Sequence, residues 1–573
     1  MVIFSQARKR KYIFHALSAT LLAASIFYPL NGAAFADRPF DPAKVYGPRI
    51  DRLCMVIIRN SDSQILAAQK GDIDILSDIT LPSDIDRLSR DPNLSMSLAR
   101  GFHAFFLLLN NKAAPWNDKN VRQAAAAAID RNNMVRTIYS GYCEPINSWL
   151  PPVSPWALPE SGKNIFDRKL ARAKLKEAGY TWNLSGMLVA PNGTPLPKLK
   201  LMTPLARVAP TTAELAEQIA DSLRAVGFPV DVEPMDFSAM LAKLDEKKYS
   251  LAVLAWGMGR NPDSLYSFYH SSMDMPGGQN MTGIHDKKLD AALHRLRFAN
   301  NRRDAEKASA ESQHILADLT PSVPIYSRFS VAAVSKKWKN VLMTDKITAD
   351  NMWTLMMAEP KDGRARTLNM ALAEEPRNLN PFVASSAYAW QVLGMIYEGM
   401  IGTDPFTLKD MPALAESWGV ETAGTGRAAH TVLTFRLKKG LRWNDGTPLT
   451  ARDVKATIDF LKKNKVPRYF DAVKNVKSTE AYDDGRLVVR MHSVSYWHLD
   501  NIGGMIVMPA RVLERIKDWQ NWNPLDKTAK FGPYGLVGCG PFALEEYKTG
   551  EYVMMKRNRY YRMLSNPKGG GWK

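Results

Sequence analysis

Cysteine is scarce. Cys54, Cys143 and Cys539 are the three present, far apart and without CxxC spacing. A thiolate metal cluster is thereby excluded, one disulfide is the arithmetic maximum, and buried free thiols are the default reading. The nine histidines include no HExxH and no tight pair. His492 and His498 come nearest and read as solvated or core side chains, so no metal site is assigned. There is no GxxxxGK[ST] loop to cradle nucleotide phosphates. There is no GxSxG and no recognisable acid–His–Ser set, so a secreted hydrolase has no nucleophile, base and oxyanion site to point to. No catalytic residue and no cofactor is assigned, and the chain is read as not an enzyme.

Charge of one sign is in excess: 76 Lys and Arg against 57 Asp and Glu, a net +19 and a pI near 9.6. Such a balance invites a nucleic-acid reading. No zinc-finger or RNA-recognition signature accompanies it, and no basic run dominates the chain after residue 36. A dispersed basic surface is expected, favouring anionic partners or a membrane surface but not nucleic acid. At 573 residues, 46% hydrophobic and 23% charged, the chain suffices for two or three globular domains.

Residues 1–36 read as an export signal. Arg8 to Lys11 supply a positive start, Tyr12 to Leu30 are mostly apolar, and Ala34-Phe35-Ala36 is a small-x-small cleavage site. An uncleaved anchor is the rival, weakened by His15, Pro29 and several hydroxyl residues. No cysteine stands at the cleavage site, which disfavours a lipid anchor.

The most informative stretch is 396–454. It holds Ile396-Tyr397-Glu398-Gly399, Asp404-Pro405 and Pro412-Ala413-Leu414-Ala415-Glu416-Ser417-Trp418. Leu433, Phe435 and Leu437 then alternate with Thr434, Arg436 and Lys438, which predicts a half-buried strand. Lys439-Gly440 and Asn444-Asp445-Gly446 predict turns. Thr450 and Asp453 form a capping-box pattern before a helix with Val454, Ile458 and Leu461 on one face. This order of pieces closely resembles the first lobe of family 5 extracellular solute-binding proteins, the peptide/nickel class of ABC-importer receptors.

The resemblance extends along the chain in an unexpected order. Ile65-Leu66-Ala67-Ala68-Gln69-Lys70-Gly71-Asp72-Ile73-Asp74 resembles the family's middle segment, so 37–99 reads as a first-lobe piece. Val121-Arg122-Gln123-Ala124, Ala128-Ile129-Asp130-Arg131 and Lys174 to Tyr180 are similar to second-lobe motifs, so 100–320 reads as the second lobe. Residues 321–345 resemble the return to the first lobe, and 346–365 read as a linker. The usual first strand starts at Thr367-Leu368-Asn369-Met370-Ala371, so 366–573 reads as the first lobe with its extra subdomain. The resemblance therefore implies a two-lobe, type II (cluster C) periplasmic-binding-protein fold, α/β, with mixed sheets flanked by helices, in circularly permuted order. A truncated tandem gene or a mis-assembled reading frame would give the same order. It also implies a periplasmic location, a monomer, and permease and ATPase subunits as partners.

The same resemblance marks the cleft residues. Asn380, Pro381, Phe382 and Ser385 match a segment lying along the ligand in peptide-binding relatives. Trp256, Gly257, Met258, Gly259 and Arg260 match the second-lobe strand end that carries an anchoring Asp three residues after the Trp. Here that position is Gly259, which cannot hold a cationic amine, and Arg260 follows, which suits an anionic or hydroxyl-rich ligand or else faces solvent. Asp263 reads as a helix cap. Trp149, Arg207 and Tyr388 complete the candidate ligand-binding set. The implied solute is a peptide or peptide-like molecule, with an anionic, opine-like, oligosaccharide or metal-chelate ligand as the alternative, or a non-transport sensor or chaperone role.

Overall fold

The computed structural model describes residues 45–158, 166–207, 209–275, 278–363, 366–376, 378–526 and 535–564. The export-signal reading of residues 1–36 lies outside them. An 11-stranded mixed sheet forms the frame. Its strands, in chain order, are β1 (Arg52–Ile57), β2 (Ile75–Leu76), β3 (Leu94–Leu109), β4 (Cys143–Pro145), β5 (Leu199–Pro204), β6 (Val230–Met235), β7 (Leu251–Gly257), β8 (Ser322–Ser335), β9 (Thr367–Leu372), β10 (Phe542–Lys548) and β11 (Tyr552–Arg557). Across the sheet they run β10-β11-β1-β9-β2-β8-β3-β7-β5-β6, with β4 on β8.

Two long strands hold this sheet together. β3 has 16 residues and β8 has 14, and they pair antiparallel from Leu94↔Ser335 to Leu108↔Ser322. At one end they sit beside β2, through Ile75 and Leu76 against Val334 and Ala333. At the other end β3 pairs with β7, from His103↔Gly257 to Leu109↔Leu251. The register shifts between Pro324 and Tyr326 and between Ser327 and Phe329, so bulges interrupt the ladder midway.

The uninterrupted apolar run Phe105 to Leu109 is explained by cores on both faces of the sheet. Phe105, Leu107 and Leu109 pack with Leu201, Val253 and Leu215, Ile219 and Leu223 of the helix Pro210–Arg224. Ala104, Phe106 and Leu108 pack on the other side with Leu293 and Leu316 from the helices Lys287–Arg297 and Arg302–Leu319. A separate core joins Leu53, Met55, Leu368 and Met370 to Phe435, Val454 and Ile458.

The stretch 396–454 folds as its pattern predicts. Ala415–Ala423 and His430–Leu437 pair antiparallel within a four-stranded sheet, with Leu433, Phe435 and Leu437 buried. The Asn444-Asp445-Gly446 turn needs left-handed backbone at Gly446, φ 88°. The capping box forms: Asp453 Oδ2 accepts the Thr450 N–H at 2.9 Å, and the helix Ala451–Lys463 buries Val454, Ile458 and Leu461.

The linker reading of 346–365 needs correction. Asp, Lys, Gly and Pro suggest an exposed tether, but Met352–Met357 is a helix with Trp353, Leu355 and Met356 in the core. Glu359–Pro360 then pairs with Trp338–Lys339. The apolar run Met352-Trp353-Thr354-Leu355-Met356-Met357 outweighs the polar composition around it. Past that pairing, the described part of the range is reduced to the exposed turn Lys361-Asp362-Gly363. At the far side of the same region the Gly47 N–H donates to the Met563 carbonyl at 2.9 Å.

All three cysteines are buried and free. A buried polar knot closes this half of the sheet. Glu398 accepts from Tyr561 Oη at 2.6 Å and from Arg562 Nε and Nη2 at 3.1 and 3.2 Å. The pair is almost wholly removed from water. Breaking such a pair strands a charge in the core. Arg562→Met is expected to cost about 3–5 kcal/mol in urea unfolding, with much of it restored when Glu398→Gln is added. A single variant as stable as the parent would refute this assignment.

Candidate functional site

Strand direction points to one place. β2 runs antiparallel to β8 and therefore alongside β3, toward the middle of the long pair. β9 runs parallel to β2. β7 runs antiparallel to β3, and β5 parallel to β7, so these approach the same middle from the opposite side. The carboxyl ends of strands from both halves thus face one another across the bulged crossing, the place where α/β sheets receive ligands.

The residues just beyond those ends are polar and open. Ser77 and the exposed Asp78 follow β2, and the exposed Glu374 follows β9. Asp78 holds left-handed backbone, φ 56°. The helix Ala387–Ile396 begins here, with Ser386 capping the Tyr388 N–H at 3.2 Å and Ser385 exposed just before it. Burial and the fields of Asp78 and Glu374 raise the pKa of the half-buried Tyr388 phenol. From the other side come exposed Ala255, Gly257 and Gly259, and exposed Arg207 beyond β5.

The sequence-predicted residues fall into two groups. Gly257, Gly259, Arg207, Ser385 and Tyr388 lie on this open ground. Trp256 is half-buried and stacks on Phe268 with ring centroids 4.4 Å apart. The others are built into the walls. Met258 is buried and its N–H donates to the Phe102 carbonyl at 2.9 Å. Trp149 is buried, its indole donating to Ser322 Oγ at 3.2 Å, so it presents no open ring. Asn380 is fully buried and staples a loop, Nδ2 donating to the Trp519 and Trp522 carbonyls at 2.8 and 3.0 Å. Pro381 and Phe382 are buried beside it. The neighbours that bury them are distant in sequence, and no local pattern announces them.

Arg260 is neither solvent-facing nor open. Its Nη1 donates to the Leu408 carbonyl at 2.8 Å, and its Nη2 pairs with Asp410 and Asp500. Asn261 also donates to Asp500. Burial opposes the Arg260 charge, but Asp500 and Asp410 outweigh it and hold the pKa above the ordinary value. The clamp lies where residues 495–499 dock on the helix Lys287–Arg297 and the turn after it. Ser495 Oγ donates to the Arg297 carbonyl at 2.7 Å, the Trp497 indole to Leu296 O at 2.8 Å, and the Tyr496 N–H to Ala299 O at 2.7 Å. Asp263 stands at a helix start but does not cap it; its carboxylate takes both arms of Arg297 at 3.0 Å.

Sequence reasoning passed over Asp78, Glu374 and His103. The signal for the first was present, since an acid stands two residues past a short apolar pair in Ile73-Asp74-Ile75-Leu76-Ser77-Asp78. Among the described residues no group of three or more His, Cys, Asp or Glu is placed to hold a metal ion, and no helix is long and apolar enough to cross a membrane.

The family model described as bacterial extracellular solute-binding proteins, family 5 Middle, matches residues 43–275 and 409–571. Similar curated proteins include heme-binding protein A of Haemophilus influenzae, 22% identical over 52% of this chain and 52% of its own length. They include the dipeptide-binding protein of Escherichia coli, 22% identical over 52% and 53%, and its nickel-binding periplasmic protein, 24% identical over 42% and 46%. The chain thus spans about half the length of the curated relatives it matches. Among solved structures, the oligopeptide-binding protein AppA of Bacillus subtilis with a nonapeptide superposes at a TM-score of 0.44 and 21% identity, covering 50% of this chain and 57% of that one. NikA of Brucella suis with Fe(III)-EDTA gives a TM-score of 0.45 at 21% identity, covering 53% and 61%.

Arg260→Ala would leave Asp410 and Asp500 facing each other half-buried. It is expected to lower unfolding stability by about 1.5–3 kcal/mol, the range for hydrogen bonds to charged groups. Urea titration at low and high salt checks it, with the difference shrinking as salt screens the clamp. An unchanged midpoint at low salt would show the clamp contributes nothing.

Proposed function

The chain belongs to the bacterial extracellular solute-binding proteins of family 5, and from that membership we propose that it is the periplasmic receptor of an ABC importer, taking a peptide or peptide-like solute between its two lobes. The observation that carries the reading is the meeting of strand ends from both halves across the bulged pair β3 and β8. Two lobes joined by crossing strands can hinge there and enclose a solute. The role asks for binding and release and for no bond to be broken. The closed form would then be read by a membrane permease, with hydrolysis of ATP left to partner subunits. The receptor acts as a monomer and reaches the periplasm by the signal in residues 1–36.

The peptide class stands first because curated relatives bind dipeptides and di/tripeptides by name. An anionic or opine-like solute is the second reading. It is favoured by Gly259, which provides no carboxylate, and by Arg207, which stands exposed on the same ground. Thermal unfolding of residues 37–573 against di- to pentapeptides, acidic conjugates, oligosaccharides and nickel chelates separates the classes. A ligand at 100-fold over its dissociation constant should stabilise by about 2.7 kcal/mol. If no peptide shifts the transition while an acidic conjugate does, the peptide reading fails.

We also propose that the segments follow a circularly permuted order. In support, β1 pairs on one side with β11 and on the other with β9, and the Gly47–Met563 contact brings residues 47 and 563 together. A chain rebuilt with 366–564 first, joined through a short loop to 45–363, is expected to fold with an unchanged melting temperature and the same ligand profile. Failure of that chain to fold cooperatively would refute the permutation.

A further inference from the structure

A cation and a histidine stand together at the crossing, and among the described residues no acid pairs with either. Arg328 lies half-buried at the β8 bulge between Ser327 and Phe329. Among the described residues no carboxylate pairs with it. His103 projects from the face of β3 that also carries Phe105, Leu107 and Leu109. Arg328 acts on that same side, since its charge is felt by His103 and by Tyr139, Cys143 and Tyr326 of that core.

The surroundings keep this pair open. Gly257 is the register partner of His103, and a Cβ on it would stand 3.5 Å from Nε2. A side chain there would lean over the imidazole, whereas glycine leaves it exposed. The groups that face His103 are Arg328 from β8 and Asp78 from beyond β2; β7 offers only Gly257. Burial between the strands comes first, then Arg328, in holding the imidazole pKa below its ordinary value, while Asp78 works in the other direction. The ring therefore stands largely neutral beside an uncompensated guanidinium at neutral pH.

We propose that Arg328 and His103 together receive the anionic group of the solute, a carboxylate in the peptide case, at the crossing of the two long strands, and that His103 takes a proton from solvent as the anion seats. The proposal rests on the reading of a solute receptor and adds the polarity of the solute. Arg328 is a fixed charge able to offer two parallel N–H donors. Protonation turns His103 into a second positive charge with both ring nitrogens as donors, and a seated anion favours that form. Asp78 and Glu374, on the other side of the crossing, leave the opposite end of the solute facing negative charge. A dipolar molecule would thus be held in one direction, its anion toward β3 and β8 and its cation toward the ends of β2 and β9.

Isothermal titration with the tripeptide Ala-Phe-Ala and with its C-terminal amide tests the seat. Both are titrated at pH 6 and pH 7.5 in two buffers of different ionisation heat, into the parent, Arg328→Gln and His103→Gln. The free acid should bind at least about tenfold more tightly than the amide, as one charge-assisted hydrogen bond implies. Arg328→Gln should abolish that preference. Proton uptake on binding should be present in the parent and absent in His103→Gln, and parent affinity should rise as pH falls. Equal binding of acid and amide, or a preference that survives Arg328→Gln, overturns the anion seat while leaving the peptide reading intact. If neither tripeptide binds, sodium acetate is titrated while the His103 Hε1 resonance is followed. A saturable shift that vanishes in Arg328→Gln upholds the seat against a failed peptide reading; no shift overturns the seat. Melting temperatures of both variants within a few degrees of the parent certify that they fold.

Discussion

Everything in this molecule depends on two strands being longer than any one domain requires. β3 and β8 are paired along nearly their whole length, yet each half of that pair belongs to a different part of the sheet. The ladder supplies continuous backbone hydrogen bonding except at two bulges, and at those the strands can bend without losing a packed core. The candidate site follows from the same fact. In one half β1, β9 and β2 run parallel, and in the other β5 and β7 do, so the carboxyl ends of these strands point inward to the crossing. The position of the site is a consequence of sheet direction before any side chain is considered.

Electrostatics then divides the crossing from the rest of the surface. The chain is strongly basic overall, but most basic side chains near the interface of the two halves are compensated. Arg260 is held by Asp410 and Asp500, Arg297 by Asp263, and Arg100 by Glu144 and Asp345. Against that background Arg328, Arg207, Asp78 and Glu374 stand out, because among the described residues none of them has such a partner. Of the four only Arg328 is half-buried, and half-buried charge is costly to leave unmet, so its retention there, among pairs satisfied elsewhere, marks that place.

Local signals were readable from the sequence wherever structure is decided locally. The alternation Leu433, Phe435, Leu437, the left-handed Gly446 turn and the Thr450–Asp453 box all appear as their residues dictate. The α/β character and the family could be read for the same reason, since they rest on the order of such pieces. Two readings failed where distant partners decide, and a third residue has contacts that no local pattern gives. Met352 to Met357 is a packed helix because residues from elsewhere in the chain cover it. Asp263 leaves its helix start for Arg297. Arg260 finds its acids 150 and 240 positions away, a pairing that no local pattern encodes. Trp149 and Asn380 were placed by resemblance near a ligand, and the packing that buries them is equally non-local.

The position of β1 has a bearing on how such a chain is made. It is the first of the described strands to be synthesised, and it lies inside the sheet with neighbours on both sides. Those neighbours come late: one begins at Thr367, the other at Tyr552. Until then both edges of an apolar strand, Leu53-Cys54-Met55-Val56-Ile57, have nothing to pair with, and unpaired strand edges are what other chains add to. Meanwhile the half containing β5, β6 and β7 has all its residues in hand and can assemble around the upper part of β3. The emerging polypeptide is thus a finished half carrying an open seam. Its survival depends on how quickly the segments from Thr367 onward arrive to close that seam, or on a holding chaperone that covers β1 in the interval.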